Sequence, residues 1–151
     1  DMNMPERFDL SCVNEEGEKE RIVMIHAAVM GSLERFMAVL IEHLAGRFPL
    51  WLAPVQIKLL PIADRHIDAA ELVAQELKQA GYRVELDGRP ESVGKKIRTA
   101  QLEQVPYMLV IGDKELESNQ LAVRSRDTGD LGTMSVENLL AKLTAESKPV
   151  A

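Results

Sequence analysis

A chain of 151 residues and 16.8 kDa holds one packed domain, or one domain and a short appendage. With 46% hydrophobic and 28% charged residues it has the make-up of a soluble globular protein with a core, and no apolar run is long enough to span a bilayer. A net charge of −6 and a pI near 5.1 argue against a general nucleic-acid binder with a basic face, yet from Arg83 to Arg126 eight Lys/Arg stand against seven Asp/Glu, so one segment is neutral to basic inside an acidic protein.

In chain order, Asp1–Glu20 is polar, punctuated by Pro5 and Gly17, and reads as irregular. The start at Asp1, with no apolar segment behind a basic flank, reads as a fragment or processed chain without a signal peptide. The single cysteine, Cys12, excludes an internal disulfide and suits a reducing cytoplasm. The short apolar run Arg21–His26 predicts a buried strand. Ser32 then caps a helix whose apolar positions, Leu33, Phe36, Met37, Leu40, Ile41 and Leu44, recur at helical spacing until Gly46. The stretch 47–54 carries two prolines and Trp51 and reads as a stiff connector. The domain boundary is placed there, giving residues 1–50 and 51–151.

Beyond it the pattern is regular. Val55–Pro61 predicts a strand, and Arg65–Ala80 an amphipathic helix with Asp64 as cap and Gly81 as stop. Arg83–Leu86 predicts a strand and Ser92–Gln104 a polar helix. Tyr107–Ile111 predicts a strand buried on both faces. Gly112–Asn119 reads as a charged turn, Gln120–Arg126 as an antiparallel strand and Leu131–Met134 as a further short one. Ser135 caps a last helix carrying Val136, Leu139, Leu140 and Leu143. Alternating strands and helices predict an α/β fold: three layers, with a mixed, mainly parallel sheet of about five strands flanked by helices.

Signatures of catalysis are absent: there is no Gly-rich phosphate loop, CxxC, HExxH or GxSxG, and the histidines at 26, 43 and 66 are scattered. Two clusters carry chemistry of another kind. In His26–Arg35 a strand end, a small-residue turn and a helix start present Glu34 and Arg35. There a guanidinium and free backbone N–H groups could hold a phosphate, or Arg35 could lie on the solvated face of an ordinary helix. Arg89–Arg98 and Gly112–Arg126 fall at the C-terminal edge of the predicted strands, where open α/β sheets bind ligands. Their Arg and Glu side chains could read base edges, or could form a surface ion-pair set.

The same residues carry a resemblance. The run PERFDLSCVNEEGEKERIVMIHAAVMGSLERFMAVLIEHLAGRFPLWLAPVQ resembles the motif 3 region of the threonyl-tRNA synthetases, a class II family. The pieces MIH, GSLERF, IEHLAG and FPLWLAPVQ stand in the order that family has them. The run DGRPESVGKKIRTAQLEQVPYMLVIGDKELESNQLAVRSR, followed by DLGTMS, resembles its anticodon-binding domain. The resemblance implies that residues 1–50 are the end of a class II catalytic domain and residues 51–151 the anticodon-binding domain.

It implies roles as well. Arg35 matches the motif 3 arginine that contacts ATP. His26 matches a ligand of the zinc ion that grips threonine. Glu115 and Arg124 match readers of the tRNA(Thr) anticodon, with Arg98 in the flanking helix. The parent enzyme, a cytoplasmic homodimer with no membrane partner, activates threonine with ATP and transfers it to tRNA(Thr). The chain departs from the family at Ala27, where arginine is usual, and at Pro90, where asparagine is common. Motifs 1 and 2 and the other zinc ligands are missing from it. The chain alone is therefore expected to bind neither ATP nor zinc well and to be catalytically inactive. The alternative is a stand-alone paralogue that uses the anticodon-binding fold as an RNA- or protein-binding module.

Overall fold

The computed structural model describes residues 1–28 and 30–147. It divides into two compact units, Asp1–Leu40 and Ile41–Ala151, the boundary falling inside a helix.

The first unit differs from its sequence reading. Asp1–Glu20 is ordered: a short helix α1 (Asn3–Arg7) precedes the antiparallel hairpin β1 (Ser11–Val13) and β2 (Lys19–Arg21). Its turn is built by Asn14, whose Oδ1 accepts the amides of Glu16 and Glu18, and by Gly17 at φ +81°. The buried strand expected over Arg21–His26 does not form. Regular pairing stops at Arg21, and Val23 and Ile25 are exposed, Ile25 at 88%. A strand needs a neighbour for its amides and carbonyls along its length, and here the Ile22 amide reaches only the Leu10 carbonyl while Met24 pairs with the chain terminus at Asp1. Helix α2 (Leu33–Leu44) does form from its apolar periodicity, but none of its residues is buried.

The second unit follows the expected alternation. Its strands are β3 (Ile57–Pro61), β4 (Val84–Leu86), β5 (Tyr107–Ile111), β6 (Leu121–Ser125) and β7 (Gly129–Met134). They form one sheet in the order β4-β3-β5-β6-β7, with β4, β3 and β5 parallel and β6 and β7 antiparallel. This is the mixed, three-layer α/β sheet read from the sequence. Strand alternation divides the core. Ile57, Leu59, Tyr107, Leu109, Leu121 and Val123 face α3 (Ile67–Gln79) and α6 (Val136–Glu146), meeting Ala70, Ala74, Leu77, Leu139 and Leu143. Leu60 and Met108 face α4 (Val93–Leu102), meeting Ala100, with Val105 of the following turn. Ser135 caps α6 as expected, accepting the Asn138 amide.

Gly112–Asn119 is a helix, α5 (Asp113–Ser118), and not a turn. The Glu115 carboxylate accepts the Gly112 amide and so closes the first turn, and Asn119 at φ +52° ends the last. In place of an Asp64 cap, a single 3-10 turn (Asp64–His66) leads into α3. Buried His66 ties this turn down: its Nδ1 accepts the Ala63 amide and its Nε2 contacts Asp113. Because Nδ1 accepts, Nε2 carries the proton and donates to the carboxylate. Arg65 grips both oxygens of Asp113 as well. Two loops that the sequence separates are thus locked at one end of the sheet.

Lys58 is the one charge set into the α4 face of β3. Its side chain is 4% exposed, and its ammonium meets Glu85 on β4 and Glu103 after α4. Burial opposes its charge, but the two carboxylates outweigh burial and raise its pKa. Both carboxylates are half-exposed and regain water if the lysine is removed. Lys58→Ala should therefore cost only about 1–2 kcal/mol, and Lys58→Met less, in denaturant unfolding. A larger loss for Met than for Ala would contradict this account.

The Arg65–His66 grip holds the Asp113 carboxyl at about 2, chiefly through the Arg65 hydrogen bond. Its folded pKa lies below the ordinary value, so the stabilisation is complete above about pH 4 and is lost as the pH falls towards 2. In a carboxyl NMR titration, Arg65→Ala should move the Asp113 midpoint up towards about 4. An unmoved midpoint would show that Arg65 is not the cause.

Candidate nucleic-acid interface

The parallel strands β4, β3 and β5 end side by side at Leu86, Pro61 and Ile111, and the loops that follow form one edge. Two charged side chains are buried there. Lys96, from the first turns of α4, donates to the Pro61 carbonyl at 2.9 Å. Asp87 takes a two-pronged contact from Arg89, Nε at 2.8 Å and Nη2 at 2.6 Å, and this holds its carboxyl below the usual carboxylate range. The Arg89 guanidinium is thereby fixed while half of it faces solvent. Just before α4, Glu91 pairs with Lys95 in its first turn, and among the described residues its other oxygen, Oε2, has no hydrogen-bond partner. Neither Asp87 nor Lys96 stands out in the sequence. Their types are ordinary for a surface, and only the chain geometry buries them.

Glu115 lies at this edge. Its Oε2 accepts the Gly112 amide at 3.0 Å, and the residue is half-buried on a six-residue helix that Asp113 anchors. A Cβ at Gly112 would stand 2.5 Å from Ile62 Cδ1 and 3.0 Å from the Glu115 carboxylate, so both side chains would have to shift.

Arg124 lies on β6 opposite Met108 of β5, on the side of the sheet that carries α4. That helix packs on β3 and β5, leaving the β6–β7 part of the face to Ala122, Arg124, Asp130 and Thr133; the last two are exposed. Arg98 is exposed on α4. The three expected anticodon residues therefore belong to one unit, but each sits on its own element. Glu115 is bonded to Gly112 and Arg124 to Asp130, not to each other. A cleft of about 570 Å³ lined by Leu72, Val73, Leu116 and Val136 opens beside α3 and α6, on the face away from Arg124.

His26 and Arg35 belong to the first unit. His26 Nε2 contacts Asp1 Oδ2 at 2.8 Å, and Arg35 is exposed on α2 with its amide near Ser32 Oγ. A zinc site of the kind expected needs three protein ligands. Among the described residues no three His, Cys, Asp or Glu are grouped to hold a metal, so the residues present do not fit zinc. Arg35, an isolated exposed cation, does not by itself make an ATP site. Among the described residues no helix is long and apolar enough to cross a membrane.

A family model described as the anticodon binding domain matches residues 52–146, and one described as the tRNA synthetase class II core domain (G, H, P, S and T) matches residues 1–44. Threonine–tRNA ligase of Clostridium tetani is 56% identical over 146 residues, 97% of this chain and 23% of the relative. That of Acetivibrio thermocellus is 55% identical over 148 residues, 98% of this chain and 23% of the relative. The chain thus spans about a quarter of the length of the curated relatives it matches. The crystal structure of the RNA binding domain of threonyl-tRNA synthetase from Cryptosporidium parvum superimposes with a TM-score of 0.77 at 35% identity, covering 100% of this chain and 38% of that one. The chain belongs to the anticodon binding domain family, preceded by a stretch of class II tRNA synthetase core, and its relatives over nearly its whole length are threonine–tRNA ligases.

Proposed function

We propose that residues 51–151 bind the anticodon loop of tRNA(Thr), and that the whole protein of which this chain is the C-terminal part is a cytoplasmic threonine–tRNA ligase. That enzyme would activate threonine with ATP and transfer it to the tRNA. The carrying observation is the family match over residues 52–146.

The chemistry suits the anticodon. Guanine offers N1–H and N2–H donors on its pairing edge, and a carboxylate accepts both. Uracil and guanine offer carbonyl acceptors to a guanidinium. Glu115 keeps Oε1 for such a contact while Oε2 rests on Gly112. Arg124 supplies donors, and Arg98, on the helix bordering the face, supplies charge for the loop backbone. These side chains bind and orient; no chemical step falls to them. In the whole enzyme Arg35 would contact ATP and His26 would contribute one zinc ligand, the remaining ligands coming from outside this chain.

The test is binding of the chain to a threonine anticodon stem-loop, and to the same stem-loop with the central G changed, at one fixed near-physiological salt. Glu115→Ala and Arg124→Ala should each weaken binding to the G-containing loop by about 10- to 100-fold and leave the altered loop nearly unaffected. Equal weakening on both loops would mean backbone contact without base reading and would refute the assignment. The chain alone should form no threonyl-adenylate from threonine and ATP; threonine-dependent incorporation of labelled pyrophosphate into ATP would overturn the view that its Arg35 and His26 do not suffice.

A further inference from the structure

Strands β6 and β7 are out of step at one point. Ala122 pairs with Thr133 and Arg124 with Asp130, so the single residue Val123 faces two, Leu131 and Gly132. This is a bulge on β7, and Gly132 at φ +74° supplies the left-handed residue it needs. Its effect is specific. In a regular strand, residues three apart point to opposite faces. Here Asp130 and Thr133 both share the face of Ala122 and Arg124, while Leu131 and Met134 pack against the core on the other side. Were these same residues to run as a regular strand, Asp130 would lie on the opposite face from Thr133 and point away from Arg124.

Asp130 uses both oxygens. Oδ1 accepts the Gly132 amide at 2.9 Å, tying the carboxylate to the bulge itself, and Oδ2 accepts from Arg124 Nη1 at 3.0 Å. The Arg124 Nε–H is buried and has no acceptor among the described residues. The guanidinium is thus gripped at one corner by a carboxylate whose own position is set by the backbone. The Asp130 side chain is 63% exposed, so this ion pair adds little stability. What it adds is orientation: a planar fork reads a base only in one plane.

We propose that Asp130, aimed by the Gly132 bulge, is the positioning residue that sets the Arg124 guanidinium for base recognition. The proposal rests on the anticodon reading of Arg124 given above. Asp130→Asn is the suitable variant, because its Oδ1 still accepts the Gly132 amide while its Nδ2 gives Arg124 no acceptor.

The experiment is a double-mutant cycle on the whole 151-residue chain, with Asp130→Asn, Arg124→Ala and both together. Melting midpoints are checked first, and affinities for the two stem-loops give the selectivity ratio. Asp130→Asn should leave the melting midpoint unchanged, lower selectivity for the central G about tenfold, and have no effect once Arg124 is alanine. Loss of equal size in both backgrounds, or no loss at all, overturns the proposal. Should the unmodified chain fail to discriminate the two loops, the anticodon reading itself falls. Rotation of the Arg124 guanidinium about Nε–Cζ, followed by nitrogen NMR in the free protein, then decides the positioning role alone. Faster rotation in Asp130→Asn supports it, and unchanged rotation overturns it.

Discussion

Between β3 and β5 five parallel pairings run from Ile57 with Tyr107 to Pro61 with Ile111, and both strands are packed on both faces. Because the two are adjacent and parallel, the loops that leave them emerge at the same edge. The 3-10 turn after β3 and α5 after β5 then lie close enough for Arg65 and His66 to seize Asp113. The apolar pairing sets the backbone, the backbone brings distant loops together, and the loops hold the polar groups that can meet a ligand. Losing Leu59 or Leu109 would therefore disturb Glu115 without touching it. Each contributes about 1.5–3 kcal/mol through burial on the inner face of this pair.

The elements that proved legible in the sequence are those with a strong period and a local partner. Tyr107–Ile111 reads as a strand because every position is apolar, and α3 and α6 read as helices because one face alone is. Arg21–His26 misleads for the same reason. An apolar run announces burial, but burial needs a partner, and the described first unit offers none: Ile25 is 88% exposed. Gly112–Asn119 misleads in the other direction. Its charges suggest a turn, whereas one of them, Glu115, is what closes the helix.

The site was legible only in part. Glu115, Arg124 and Arg98 were marked by resemblance, and the structure puts them in a single unit on three separate elements. Their supporting residues had no signal of their own. Asp87 and Lys96 become buried only when β3, β4 and α4 assemble, and Asp130 faces Arg124 only because Gly132 shifts the register. Burial of a charge and the phase of a strand are properties of packing, and neither can be read from residue type.

The bulge in β7 has a consequence for how this gene can vary. Along an unbroken strand a substitution changes one side chain, but a gain or loss of one residue exchanges the two faces. Removing one residue between Asp130 and Thr133 would leave two steps on each strand, restore simple alternation and keep Asp130 opposite Arg124, but it would take away the left-handed turn whose Gly132 amide holds Asp130 Oδ1. The bulge therefore absorbs the loss of one residue without exchanging the faces, and what is given up is the backbone anchor of the carboxylate. A one-residue gap here would thus spare the sheet and loosen the grip on Arg124, a change felt in binding and not in folding.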